Sequence, residues 1–210
     1  MIRKTNASSF SRLVVLLVAS FVLTMSALPG FAQGQAKAAL PGIKNIRLPT
    51  RLGNSVLVRT PEFDGKVRAP NRNPGNRRWA QFEVSYVTTD EWIDELTFTF
   101  YVMTQEPKTK SFHMFQTTVT YLDIAKGEHG AAVMLPPAAV MRYGEAISFG
   151  VEISANGQKI GASNVGKGGP NWWTKLDAPG LKISNHSGYL QDRSKTPFGL
   201  TYIDAYEVVR

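Results

Sequence analysis

Three segments of the chain place apolar residues at every second position: 80–86, 96–102 and 147–153. In a β-strand successive side chains point to opposite faces of the sheet, so this period of two is typical of strands with one buried face. A helix would scatter the same residues around its circumference. The alternation, with its β-branched and aromatic residues, therefore predicts half-buried strands in all three segments.

The residues between these segments predict further β structure and one helical turn. Residues 112–124 form a longer β candidate, whose alternation slips near 116–118 and predicts a bulge there. Asn156-Gly157 between two apolar runs is typical of a two-residue hairpin turn. Residues 136–144 begin with proline and end with glycine, which predicts a helix of two turns at most.

The flanking segments complete a β-rich pattern. Residues 55–59 and 201–209 are the predicted first and closing strands, whereas the prolines and glycines of 61–78 predict a long basic loop. Residues 161–199 are rich in glycine and predict loops. Short strands, frequent turns and a single helical turn together predict an all-β fold, an immunoglobulin-like antiparallel β-sandwich.

The N-terminus predicts export. Arg3, Lys4 and Arg12 precede an uninterrupted apolar run at 13–23, which is short for a membrane span, and Ala32 ends a site typical of signal peptidase cleavage. We expect a cleaved signal peptide at 1–32, a flexible leader at 33–45 and a single sandwich domain at 46–210. No membrane span is expected after cleavage, which makes the mature chain periplasmic, outer-membrane-associated or extracellular.

Cysteine is absent, which excludes disulfides, thiolate metal sites and cysteine nucleophiles. The domain must then be held together by its buried core. We expect no cofactor and no metal, although the acidic segment 90–95 is the place where a calcium ion would bind if there is one. A solvated turn is the preferred interpretation of this segment, because charge runs at hairpin ends are usually exposed.

Positive charge is concentrated near the start of the mature chain. Residues 37–78 hold ten basic residues against two acidic ones. The candidate basic surface consists of Arg47, Arg51, Arg68, Arg72, Arg77 and Arg78. Nucleic acid is not expected as a partner, because the stretch lacks interleaved aromatic residues and the chain is exported. An anionic surface glycan, or the acidic remainder of the domain itself, are the alternatives.

The chemistry-bearing residues favour binding over catalysis. The three histidines, His113, His129 and His186, are scattered, and no nucleophile elbow or zinc-binding helix motif accompanies them. We therefore predict that the protein is not an enzyme. The tentative contact residues are Trp172, Trp173 and Tyr189, since exposed aromatic rings stack on sugars or anchor a partner protein. The alternative is that the tryptophans close one end of the sandwich.

The layout resembles small exported immunoglobulin-like proteins of verrucomicrobial gut bacteria, encoded beside pilus or type II secretion components. The resemblance covers 46–210 and depends on the signal segment, the lack of cysteine, a sandwich of seven or eight strands and the 136–144 turn before the strand at 146–154. It implies a role in the envelope or an appendage without enzymatic activity, and it transfers no functional residue.

The sequence thus predicts a structural or adhesive module that contacts an envelope or appendage protein, or an anionic surface glycan, through loops and edge strands. The alternative function is a carbohydrate-binding module that uses exposed loop tryptophans.

Overall fold

The computed structural model describes residues 41–61, 78–176, 182–202 and 205–210, all within one compact unit that spans Ala39–Arg210. The predicted signal peptide 1–32 lies outside these residues, as do 62–77 of the predicted basic loop. The strands are β1 Ile43–Arg47, β2 Leu57–Arg59, β3 Arg78–Gln105, β4 Phe112–Leu135, β5 Ala146–Ala155, β6 Gln158–Gly166, β7 Ile183–His186, β8 Gln191–Asp192 and β9 Val208–Val209, and the α-helix is α1 Pro137–Tyr143.

One long hairpin organises the fold. β3 and β4 pair antiparallel from Ala80↔Leu135 to Gln105↔Phe112, with one register shift. At the shift Thr88 pairs with Gly127 and Trp92 with Ala125, so three residues of β3 lie opposite the single residue Lys126. Such a bulge bends a strand pair.

The bend brings the two halves of the hairpin face to face. The ring centroids of Tyr86 and Phe98 lie 5.0 Å apart across the fold, and those of Phe82 and Phe149 lie 5.2 Å apart. We call the half with residues 78–88 and 127–135, together with β1, β2 and β8, layer A. Layer B consists of residues 92–105 and 112–125 with β5, β6, β7 and β9.

The core lies between the layers and is built by the predicted alternation. Seven of its β3 members lie at alternate positions and are at most 1% exposed: Phe82, Val84, Tyr86, Leu96, Phe98, Phe100 and Val102. The all-β sandwich with one short helix is confirmed in the described residues. The sheet is mixed because β7 pairs with β4 in parallel, whereas the other pairs are antiparallel.

The predicted turn and helix are confirmed. Asn156 and Gly157 have φ values of 50° and 72° and connect β5 to β6 as a two-residue turn. Helix α1 begins after Pro136 and ends at Tyr143, and it is followed by Gly144, whose φ is 86°. A Cβ at Gly144 would overlap the carbonyl group of Gln105, so glycine is required there for space as well as for conformation.

Other element predictions are corrected by tertiary pairing. The strand predicted at 55–59 is limited to Leu57–Arg59, because Gly53–Val56 forms a 3₁₀ turn. The closing strand predicted at 201–209 is Val208–Val209 in the described residues. Strand β1 begins at Ile43, within the segment predicted as leader, and it pairs with β3.

The predicted slip near 116–118 is wrong, because β4 keeps one register with β3 from Phe112 to Ala125. The irregularity lies instead opposite Lys126. The acidic segment 90–95, predicted as a turn between two strands, lies inside the single strand β3 and overlaps its bulge.

Candidate functional site

Trp172 and Trp173 form a second apolar cluster on the outer face of layer B. They are 3% and 7% exposed, so of the two alternatives for these residues the structure has the buried one, and the exposed platform that the carbohydrate-binding alternative requires is not formed. A left-handed Asn171 and a 3₁₀ turn at Trp172–Thr174 direct both rings onto the sheet. There they pack against Met103 and Met114, which point away from the main core because their neighbours in β3 and β4 point into it.

A glycine makes room for the indole. Trp173 lies over Gly150 of β5, where a Cβ would overlap the ring. The same ring stacks on Tyr101 with centroids 4.9 Å apart and planes 5° from parallel. The tryptophans therefore cover the part of the outer face around Met103 and Met114, and Tyr101 lies at the border of the covered area.

The Tyr101 hydroxyl donates a 3.0 Å hydrogen bond to Glu152 Oε2, and Lys159 forms an ion pair with the same carboxylate. Burial and this hydrogen bond raise the pKa of Tyr101 to about 12. Partial burial alone would raise the pKa of Glu152, but hydrogen bonds from Lys159 and Tyr101 outweigh it and the pKa is lowered. The bonds hold the phenol ring in place.

Beside Tyr101 a groove of about 530 Å³ runs across the outer face of layer B. Its walls include the rings of Tyr101 and Trp173, the side chains of Gln116 and Thr118 on β4, and Asn185 and His186 on β7. Among the described residues no carboxylate, lysine or arginine lines it. The groove is thus aromatic and polar but nearly uncharged.

Tyr189, the third predicted contact residue, belongs to an aromatic cluster that ends beside the groove. Its ring lies edge-on to Tyr143 at 5.7 Å and to His186 at 6.0 Å. His186 Nε2 lies 3.0 Å from His113 Nδ1, and Glu106 Oε2 lies 3.8 Å from His113 Nε2. Burial lowers the pKa of His186, and the neighbouring His113 and Arg142 lower it further. Tyr189 is half-buried and serves this cluster.

A second polar cluster surrounds His129. His129 Nδ1 lies 2.7 Å from Glu207 Oε1, and Nε2 lies 3.1 Å from Thr88 Oγ1. This hydroxyl–imidazole–carboxylate order resembles a catalytic triad, but Thr88 is 2% exposed. Its hydroxyl donates to the Ala125 carbonyl at 2.7 Å and accepts from the Gly127 N–H at 3.0 Å. The arrangement ties the C-terminal segment to the bulge.

The predicted basic surface is found in part. Arg47, Arg51 and Arg78 are exposed, whereas Arg68, Arg72 and Arg77 lie outside the described residues. Arg47 lines a groove of about 480 Å³ on layer A together with Glu83 and Glu128. Carboxylates thus offset its charge locally.

The bulge presents an exposed aromatic residue that the sequence interpretation missed. Trp92 is 66% exposed, beside the exposed Asp90, Glu91 and Asp94. Asp90 Oδ2 accepts the Gly42 N–H at 3.2 Å. Within the described residues, no three acidic or histidine side chains are grouped as a metal ion would require.

β6 is an edge of the sheet. It pairs with β5 on one side, and no strand of the described ranges pairs with its other side. Ile46 of β1 packs against Gly161, near the start of the strand. Ala162 and Gly166 are exposed.

Comparisons with known proteins give a family and a fold. A protein-family model matches residues 55–210. A crystal structure of a protein from Akkermansia muciniphila superposes with a TM-score of 0.61 at 24% identity, over 81% of this chain and 93% of that one. The two proteins share a fold, and the source agrees with the predicted verrucomicrobial resemblance.

A comparison with curated proteins finds no match. In the described residues no helix is long and apolar enough to cross a membrane. Because the family model covers well over half of the sequence, the chain belongs to the family that this model describes.

Proposed function

We propose that the protein is an exported, immunoglobulin-like contact module of the cell envelope or of a pilus-like appendage, and that it has no enzymatic activity. Its partner is another envelope or appendage protein. The N-terminal segment supports export to the periplasm, the outer membrane or the cell exterior.

The observation that carries this proposal is the edge strand β6. Its nine residues, Gln158–Gly166, are paired with β5 alone among the strands of the described chain. An unpaired edge offers a row of backbone N–H and C=O groups, to which an extended segment of a partner can add as a further strand. Lys159 at one end discourages indiscriminate pairing, because a charged side chain on an edge opposes aggregation.

Two features support a role without catalysis. The hydroxyl of Thr88, which lies nearest to a histidine–carboxylate pair, is buried and already both donates and accepts hydrogen bonds. The other two histidines hydrogen-bond to each other. An anionic surface glycan is the alternative partner, and the exposed Arg47, Arg51 and Arg78 would contact it.

A photo-crosslinking experiment tests the edge-strand contact. A photoreactive residue is placed at Ala162 on β6 and, as a control, at the exposed Thr109 in the β3–β4 turn, in cells that export the full chain. We expect a discrete adduct with one envelope or appendage protein from position 162 and none from 109. The same adducts from both positions, or no adduct from 162, would contradict the proposal.

A further inference from the structure

The groove on the outer face of layer B leaves one face of the Tyr101 ring available. In the sheet Tyr101 pairs with Gly150 of β5 on one side and with Gln116 of β4 on the other. Trp173 lies over Gly150 and stacks on Tyr101, so it covers the ring face on the β5 side. The other face of the ring therefore looks across Gln116 into the groove.

On the same sheet face, rows of hydroxyl groups follow Tyr101 in the direction of the bulge. Thr99 and Thr118 are cross-strand partners with their hydroxyl oxygens 3.3 Å apart, and the oxygens of the next pair, Thr97 and Thr120, lie 3.0 Å apart. These side chains point away from the core, because Phe98 and Phe100 between them point into it. Gln116 and Thr118 are exposed.

We propose that this face, from the groove at Tyr101 and Gln116 to the threonine rows, binds a neutral oligosaccharide. A sugar ring has an apolar C–H face that packs on an aromatic ring, and hydroxyl groups at its rim that both donate and accept hydrogen bonds. Tyr101 supplies the ring, held by its bond to Glu152. Threonine hydroxyls and the Gln116 amide supply donors and acceptors of both kinds.

The charge of the groove selects the ligand class. An anionic ligand would need cationic partners, yet no lysine or arginine is among the described lining residues. The volume of about 530 Å³ lies in the usual range for a small-molecule site. The indole of Trp173, which stacks on Tyr101, also holds the Tyr101 ring rigidly, and this lowers the entropic cost of binding. This site lies on the sheet face and does not depend on the β6 edge contact.

Titration with defined probes tests this proposal. The folded, processed protein is titrated with neutral tetrasaccharides made of α-linked glucose, β-linked glucose, β-linked galactose or N-acetylglucosamine, and amide chemical shifts are followed. We expect at least one probe to shift Gln116 and Thr118 while Trp92 is unaffected. Tyr101→Ala should weaken binding about tenfold or more, whereas Tyr101→Phe, which keeps the ring, should retain most of it.

Thr118→Val is a second variant for the case in which Tyr101→Ala fails to fold. It removes one exposed hydroxyl and keeps the side-chain shape, so it should weaken binding in a fully folded protein. Trp92→Ala, on the distant bulge, is the matched control and should bind as the unmodified protein does. No shift with any of the four probes overturns the proposal. Tyr101→Ala binding as tightly as the unmodified protein, or a charged oligogalacturonate binding more tightly than every neutral probe, also overturns it.

Discussion

Single residues in this protein take their roles from the sheet face on which they lie. Tyr101 and Phe100 are neighbours of similar size, yet Phe100 is in the main core and Tyr101 is on the outer face of layer B. Trp173 and Trp92 differ in the same way, because Trp173 is buried against a sheet and Trp92 stands free on a bulge. Aromatic residues thus serve both packing and contact here.

Trp173→Ala should strongly destabilise the fold. It empties the space over Gly150 and removes the stacking on Tyr101, so we expect a loss of about 3–5 kcal/mol in the free energy of unfolding, measured by urea denaturation. The control Trp92→Ala, at an exposed position, should change that free energy by less than about 0.5 kcal/mol. Equal effects of the two substitutions would show that the second cluster does not stabilise the fold.

The histidine pair should make stability depend on pH. A hydrogen bond between two imidazole nitrogens needs one donor and one acceptor, so at least one ring of His113 and His186 is neutral. Arg142 opposes added positive charge on His186, whereas Glu106 is on the far side of His113. The phenols of Tyr143 and Tyr189 also face the His186 ring.

The pKa of His186 is lowered in the folded protein. Its contribution to stability is therefore present above the ordinary histidine pKa of about 6.5 and is lost as pH falls through the folded-state pKa. The urea concentration at the unfolding midpoint should decrease when the pH is lowered from about 7.5 to about 5. The decrease should be smaller in His186→Gln. An identical fall in His186→Gln would assign the pH dependence to other groups.

At the scale of elements, local sequence signals specify turns that tertiary structure then uses. The Asn156-Gly157 turn has both residues at positive φ, and no atom lies within 4 Å of a Cβ placed on Gly157. Substitution there meets no steric obstacle, so its cost is conformational alone.

Gly157→Ala should therefore destabilise the protein by about 1 kcal/mol, because an alanine resists the left-handed conformation. Asn156→Gly is the matched control and should be tolerated within about 0.5 kcal/mol, since glycine adopts positive φ freely. Thermal or urea unfolding of the two variants measures the difference. If Asn156→Gly costs as much as Gly157→Ala, side-chain contacts of Asn156 and not backbone conformation determine the turn.

These elements also show how far the sequence could predict the structure. Alternation identified the core faces of 80–86, 96–102 and 149–153, because a strand with one buried face carries apolar residues at alternate positions. It was wrong at Ile147, which lies at a register shift and packs against the second cluster. It could not show that one strand continues through 90–95, since a bulge with exposed acidic residues has the same composition as a turn. Nor could it show that the loop tryptophans fold onto the sheet. The outward-facing threonines and Tyr101 carried a signal, but the groove appears only when β4 and β7 stand beside them.

At the scale of the whole molecule, a single bent hairpin builds the sandwich and leaves its edges at defined places. The bulge at Thr88–Trp92 brings the two layers together, and β5 and β6 extend layer B to the outer edge. The core lies between the layers, and the second cluster covers part of the outer face of layer B. We propose that protein contact takes place at the β6 edge, because β6 is paired on one side alone among the described strands.

The most direct test of this assignment is a pair of proline substitutions on β6, Ala162→Pro and Ser163→Pro. Neighbouring residues of a strand direct their N–H groups to opposite sides, so one proline removes a bond to β5 and the other removes a donor from the free edge. Circular dichroism identifies the variant that keeps the fold. We predict that this folded variant, with the photoreactive residue at the exposed Gln158, loses the partner adduct that the same residue gives in the unmodified strand. An undiminished adduct from the folded variant would contradict contact through the edge.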